Sequence, residues 1–402
     1  MRNRFLPILL LMISPLAGCK PAPQSIQDAG RISIPGSVAA PGNTPTLSPV
    51  PTFTASATPT ESPLPVGENL VYISEETGQG QIFTVDIEHG TKKQLTFGTY
   101  EVEFLNCAPD GSAIAYQLNR AGNREIWRMD WDGGNNVRLV SDDGHYPVWS
   151  PDSKRIAYFS RIPGSWSLYT MDPDGALKVM VKDDNVFESI VSWSPDSRRI
   201  AFNPWHNTIS PPFITVIDPA RSGYVELTDG KHSDLDPEWS PRDDLIVFSS
   251  WRTGRSQVFL MRADGSGQQA LTDSAGGNSN PKWSPDGNRI VFVSWRDSAD
   301  PDHCRDGDCN FEIYIMDKDG NGETRLTDDP GEDWGGVLSP DGKRIAFLSL
   351  RDEPRHPEEC DETCNSEIFV MDDAGENIVR VTDNTFPDYR PAWRPNPSGV
   401  SG

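Results

Sequence analysis

The sequence predicts an all-β fold, a seven-bladed β-propeller of four-stranded antiparallel blades. Three observations carry this: a phrase that returns about every 44 to 55 residues, a second hairpin after each copy, and a count of seven for each strand class. The phrase is an extended run ending in Trp, then Ser-Pro-Asp and a small residue, then Arg-Ile-Ala-Phe or a close relative. It reads VWSPDSKRIAYF from Val148, SWSPDSRRIAFN from Ser192, EWSPRDDLIVFS from Glu238, KWSPDGNRIVFV from Lys282 and VLSPDGKRIAFL from Val337, with a degenerate copy, LNCAPDGSAIAY, from Leu105. Pro after Ser presets the first corner of a type I turn, Asp accepts a backbone hydrogen bond, and Gly tolerates the left-handed position that returns the chain. Each copy is therefore a hairpin.

Downstream lies a second pair of short strands, as in EIYIMDKDGNGETRLTD, whose apolar alternation and Asp-Gly corner again specify a hairpin. The strand after the first turn begins at Leu70, Ile114, Ile156, Ile200, Ile246, Ile290 and Ile345, and the third ends at Asp86, Asp130, Asp172, Asp218, Arg262, Asp317 and Asp372. Strands ending at the Trp position also number seven, but only if Arg390 to Trp393 is included. The chain thus enters the ring at the second strand of one blade, and its last segment returns to supply that blade's missing first strand, which leaves few exposed edges.

The ring spans residues 69–395, 327 residues or about 47 per blade, with two blades carrying long loops. Before it, residues 1–18 read as a secretory signal, with basic Arg2 and Arg4, a mostly apolar run from Phe5 to Leu16, and Leu16-Ala17-Gly18-Cys19 at the end. Residues 19–68 are rich in Pro, Thr, Ser and Ala and poor in large apolar side chains, the composition of a disordered, semi-extended stalk. Residues 396–402 form a flexible tail.

The formal charge is -23, and about -25 once Arg2 and Arg4 are removed with the signal. Such a surface repels phosphate backbones, which excludes nucleic acid as a partner. Of six cysteines, Cys107 stands at a Trp-equivalent position and reads as a buried thiol. Cys304 and Cys309, and Cys360 and Cys364, flank short loop segments before the third strands of neighbouring blades. Outside the cytoplasm they are expected to form two disulfides, with three pairings open; a thiolate zinc site is the alternative.

The WSPDG-RIAF phrase followed by IYIMD and RLTD resembles the TolB-type, or WD40-like, propellers, and the resemblance covers the 327 residues of the ring. It implies that the Trp-bearing strand is innermost and that Trp149, Trp193, Trp239, Trp283 and Trp393 pack between blades, with Leu338 and Cys107 as departures. The box at Leu16 to Cys19 resembles that of bacterial lipoproteins, which implies lipidation of Cys19 and an exported, membrane-anchored protein facing the periplasm or the cell exterior. TolB carries an α/β domain before its ring and the related peptidases a hydrolase domain after theirs. Signal and stalk are expected before the ring here and only eight residues follow Arg394, so neither Tol function nor peptidase activity is carried over.

The ring holds no Gly-x-Ser-x-Gly elbow, His-Glu-x-x-His pair or Walker loop. Gly265-Ser-Gly267-Gln-Gln-Ala270 imitates a dinucleotide fingerprint but sits in a hairpin turn. Two acidic runs have oxygens for calcium. One is Asp317, Asp319 and Asn321 with Asp328, which doubles as an ordinary hairpin turn; the other is Asp297, Asp300, Asp302, Asp306 and Asp308 around the first Cys pair, which doubles as a solvated loop. No cofactor is required, and calcium is the ion these runs would hold.

In a propeller the loops between second and third strands share a face with the blade-to-blade loops. Five residues after each second-strand start, that face carries Glu75, Asn119, Arg161, Trp205, Trp251, Trp295 and Leu350, so three successive blades place Trp at one position, followed by His206, Arg252 and Arg296. Such an arc would stack on sugar rings or anchor a peptide while its cations hold a carboxylate; loop packing and structural ion pairs are the plainer reading. His145, His206, His232, His303 and His356 map to the same face. Some oligogalacturonate lyases resemble this propeller class and hold a divalent metal with His. The sequence therefore points to a monomeric binding or scaffolding module of the cell envelope, with a protein or cell-wall glycan as ligand; the alternative is a metal-dependent polysaccharide lyase or hydrolase.

Overall fold

Each Ser-Pro-Asp phrase folds as the expected hairpin, and its side chains show why. In the third blade Ser150 Oγ donates to Asp152 Oδ1 (2.7 Å), which also accepts the Lys154 N–H (3.1 Å), and Ser153 N–H closes the turn on Ser150 O (2.9 Å). The same contacts recur at Ser194/Asp196, Ser284/Asp286 and Ser339/Asp341. The corner is left-handed in each, with Gly at 287 (φ 72) and 342 (φ 70) and Ser at 153 (φ 56) and 197 (φ 59).

The computed structural model describes residues 69–161, 166–183, 191–204, 211–220, 223–298, 301, 309–352 and 365–395. Cys19 and the segments expected to be signal, stalk and tail lie outside them. Among the described residues twenty-eight strands form seven four-stranded sheets. We number the blades I to VII. Blade I orders Asp388–Trp393, Asn69–Ser74, Gln81–Asp86 and Lys92–Gln94 from first strand to fourth, so the last strand of the chain completes the first blade. Its register is Leu70↔Trp393, Val71↔Ala392, Ile73↔Tyr389 and Ser74↔Asp388, antiparallel as expected. The first strands of blades II to VII are Glu101–Cys107, Gly144–Trp149, Ser192–Trp193, Asp234–Trp239, Asn278–Trp283 and Asp333–Leu338.

The core lies between blades, where faces of successive sheets meet. Trp149, Trp193, Trp239, Trp283 and Trp393 are all buried, and the indole N–H of three reaches back to the preceding blade: Trp193 to Val148 O (3.2 Å), Trp283 to Glu238 O (3.1 Å) and Trp393 to Val337 O (3.0 Å). The residue just before the Trp position often binds the next blade's Trp backbone, as Asn106 does with Trp149 N–H (2.8 Å), Ser192 with Trp239 (2.8 Å) and Glu238 with Trp283 (3.0 Å). Cys107 pairs with Ile114 as Trp149 pairs with Ile156, but it is a free, half-buried thiol rather than a fully buried one. Its enclosure raises the thiol pKa to about 12.

One feature of the first strands was not expected. Three residues before the Trp position, Tyr146, Asp236, Asn280, Gly335 and Arg390 all have positive φ, between 48 and 69, at a register shift against the second strand. In four of these blades Pro follows, at 147, 237, 281 and 391. Proline cannot donate to a ladder, so a bulge is where a strand accepts it, and the bulge re-aims the side chain before it.

Candidate binding face

The cations that follow the Trp arc are held within their own blades. Arg252 donates through Nε to Ser250 Oγ (2.8 Å), through Nη2 to buried Asp234 Oδ1 (3.0 Å) and through Nη1 to Gln268 Oε1, with its guanidinium over Phe248 and Phe259. Arg296 repeats the arrangement on Ser294 (2.9 Å) and Asn278 Oδ1 (2.6 Å), pairs with Glu323, and lies over Phe292 and Tyr314. Arg351, after Leu350, repeats it on Ser349 (2.8 Å) and both oxygens of Asp333 (3.0 and 3.1 Å), over Phe347 and Phe369. Three blades thus spend this cation on one design, a guanidinium stacked on two rings and tied to the first residue of the innermost strand.

The indoles themselves are half-buried. The Trp295 backbone N–H donates to Gly277 O (3.1 Å), and its ring meets Phe311 edge-on at 5.7 Å. The ring lies against the backbone at Gly277, where a Cβ would sit 1.7 Å from Trp295 Cζ2. The Trp251 backbone N–H donates to Ser233 O (2.9 Å), and Ser233 has a Cβ where Gly277 has none, so the flat pose of Trp295 is closed to Trp251. In blade VII the Leu350 backbone N–H donates to Glu332 O (3.0 Å), and burial pushes the Glu332 carboxyl up to about 7. Beside Arg252 opens a cavity of ≈ 650 Å³ lined by Glu226, Leu227, Thr228, Asp229, His232 and Gln268. Trp205 and His206 lie outside the described residues.

The bulged residues form a second constellation on neighbouring first strands. Arg390 of blade I donates to Glu103 O (3.2 Å) and lies over Phe104 of blade II, which meets Tyr146 of blade III edge-on at 5.3 Å. Glu103 gathers Gln117, Asn119 and Arg124 around its carboxylate. In blades V and VI, Lys282 Nζ binds Glu238 Oε2 (2.6 Å) beside Asp236, whose carboxyl burial raises to about 6 and whose Oδ2 has no partner. Residue spacing alone missed this set; the proline two positions before Trp was its signal.

The described histidines do not converge. His145 is buried, with Nε2 on Asp143 Oδ1 (3.0 Å) and its ring against Trp166, and burial lowers its pKa; His232 is exposed in another blade. His303 and His356 lie outside the described residues, as do Asp300, Asp302, Asp306, Asp308, Cys304, Cys360 and Cys364. Asp297 accepts the Tyr314 hydroxyl. The run from Asp317 forms a hairpin turn in which Asp319 accepts from Asn321, and Asp328 pairs with Arg325 (2.8 Å). Among the described residues no three of His, Cys, Asp and Glu gather as a metal site.

The fold is a seven-bladed β-propeller. Residues 163–301 match the family described as TolB beta propeller domain. An uncharacterized protein of Agrobacterium fabrum is 36% identical over 97 residues, which span 24% of this chain and 29% of that relative, less than a third of its length. Among solved structures, TolB from Acinetobacter baumannii superposes with a TM-score of 0.52 at 18% identity, over 81% of this chain and 83% of that one. Oligogalacturonate lyase from Vibrio parahaemolyticus superposes with a TM-score of 0.56 at 14% identity, over 79% and 86%. At these identities the two structures share the fold.

Proposed function

We propose that this chain is an exported propeller, tethered to a membrane by lipid on Cys19, that binds an envelope protein or a cell-wall glycan on the loop face of blades IV to VI. The observation that carries the reading is the pair of half-buried indoles, Trp251 and Trp295, at one position of adjacent blades whose guanidinium groups are already engaged. That leaves flat aromatic surface, suited to sugar rings or to a peptide's apolar side chains, with the cavity beside Arg252 at its edge. Trp205 and His206 are the residues that the sequence offers at the same position of blade IV. The match to the TolB beta propeller domain supports a binding role.

The loop cysteines staple this face in the same reading. Cys309 is buried and is not a free thiol, and in this reading Cys304, Cys309, Cys360 and Cys364 make two bridges, with the three pairings open. Calcium among Asp300, Asp302, Asp306 and Asp308 would rigidify the same loop.

The test is capture from native envelope by wild type and by Trp251→Ala plus Trp295→Ala, with proteins and glycans both identified. A partner lost by the double variant at unchanged Tm supports the reading. Equal capture by both proteins rejects the arc. Chelator-sensitive breakdown of a polysaccharide supports the lyase or hydrolase alternative instead.

A further inference from the structure

The seam where the ring closes breaks the design of the seams before it. At each of the last three seams, the first residue of one blade's third strand lies beside the first residue of the next blade's innermost strand. Between blades V and VI the pair is neutral: Asn278 Nδ2 donates to Gln257 Oε1 (2.7 Å). Between blades VI and VII both are carboxylates, Glu312 and Asp333, and each has its own guanidinium, Arg325 on Glu312 (2.7 Å) and Arg351 on Asp333 (3.0 Å). Between blades VII and I they are Glu367 and Asp388, but only Glu367 has one, from Arg380 (3.1 Å).

The missing cation has an address. The residue that should supply it is Glu76, whose N–H donates to Ser74 Oγ (3.3 Å) as those of Arg252, Arg296 and Arg351 donate to Ser250, Ser294 and Ser349. Glu76 pairs instead with Lys92, which takes the stacking place over Phe83. Asp388 and Glu367 are nevertheless buried, at 0% and 1% exposure, and Asn384 ties them side by side, its N–H on Glu367 Oε1 (3.0 Å) and its Nδ2 on Asp388 Oδ2 (2.7 Å). The other oxygen of each, Asp388 Oδ1 and Glu367 Oε2, has no partner, nor has the Tyr72 hydroxyl, which is fully buried and whose ionisation both carboxylates oppose. Asn365 Oδ1, beside Glu367 through its own amide (2.9 Å), is also unpartnered. A buried carboxylate pair left one cation short, with the hydroxyls of Ser74, Thr382 and Tyr72 and the Asn384 amide around Asp388 but no second guanidinium, and with four oxygens unpartnered among the described residues, is a costly arrangement for a fold to retain.

We propose that the closing seam binds one hard metal cation of the calcium class on Asp388 and Glu367, with Tyr72 and Asn365 as neutral ligands, in place of the guanidinium of blades V to VII. Two carboxylates and two neutral oxygens suit calcium rather than zinc. The ion would bridge the first and last strands of the ring and so make its closure ligand-dependent.

The experiment measures Tm of the full exported chain at pH 8 after chelation, with calcium, magnesium or sodium added back, and the calcium stoichiometry by calorimetry. The expected result is one calcium per chain and a Tm rise of about 2 to 4 °C at saturation. Two variants assign the site. Glu76→Arg restores the guanidinium and is expected to raise Tm in chelator and abolish the calcium response. Asp388→Asn copies the residue that blade VI uses at Asn278, and it too should lose the response while folding. The proposal is overturned if no cation raises Tm, if the response persists in either folded variant and so belongs to another site, or if the seam's charge is met by a proton alone, seen as a loss of stability with rising pH that calcium does not reverse.

Discussion

Replacing Arg351 by Ala would leave Asp333 buried without its guanidinium, and the size of the loss should depend on pH in a calculable way. In the intact protein Asp333 is fully buried and its carboxyl is raised to about 6, chiefly by burial, with Arg351 pulling the other way. Its unfolded value is about 4. A carboxyl raised on folding contributes stability that is whole below the unfolded pKa and is lost as pH climbs through the folded one. The wild type should therefore lose roughly 3 kcal/mol from this group between about pH 4 and pH 6, and little more above that. Without Arg351 the folded pKa rises further, so the decline continues past pH 6. At pH 4, where Asp333 is protonated in both proteins, the variant should lose the stacking on Phe347 and Phe369 and the bond to Ser349 but no ion pair, about 1 to 2 kcal/mol. At pH 8 it should lose about 3 to 5 kcal/mol, the usual cost of an uncompensated buried charge. Urea unfolding followed by Trp fluorescence at both pH values measures the difference. Equal losses at pH 4 and pH 8, or a loss below about 1 kcal/mol at pH 8, would refute the ion-pair account of this cation.

Three further outcomes are expected. Trp393→Ala removes a buried indole and its bond to Val337 O, and should cost about 3 to 5 kcal/mol by equilibrium unfolding. Gly277→Ala drives a Cβ into the Trp295 ring and should cost about 1 to 3 kcal/mol with a shift in Trp emission, whereas Gly254→Ala, with nothing within 4 Å but φ 91, should act through backbone strain alone and leave the emission unchanged. Asp236→Asn should remove a fall in stability between about pH 4 and pH 6, since burial raises the Asp236 carboxyl to about 6; Asn280 holds the same register at the same φ of 52, so the replacement fits, and a pH profile like wild type would reject the assignment.

What the sequence disclosed was whatever repeats. Ser-Pro-Asp with its following Gly or Ser encodes a turn through local chemistry, so the hairpins were legible copy by copy, and Trp393 was legible as the strand that completed the count. Arg252 and Arg296 were visible too, but an arginine after a loop Trp reads alike whether it awaits a carboxylate ligand or already holds Asp234 or Asn278; only the third dimension supplies the partner. The bulged set was easy to miss because Tyr146, Asp236, Asn280 and Arg390 share no side-chain chemistry, only a backbone conformation and the proline that follows each. The charge deficit at the closing seam needed both kinds of information. Glu76 stands out only when aligned with Arg252, Arg296 and Arg351, and it matters only because Asp388 is buried.

The pairing of Leu70 with Trp393 also sets an order of events. The two residues are 323 apart, so the first strand of the ring to be made must wait for the last. At a synthesis rate of about 5 to 20 residues per second, that wait is roughly 16 to 65 s if the chain emerges as it is made. Throughout it the edge of Asn69–Ser74, fully buried in the finished ring, is open to any strand that meets it. The native ring is therefore a race that its own C-terminus must win against neighbouring chains, and crowding of nascent molecules, rather than weak blades, is where its folding yield should fail first.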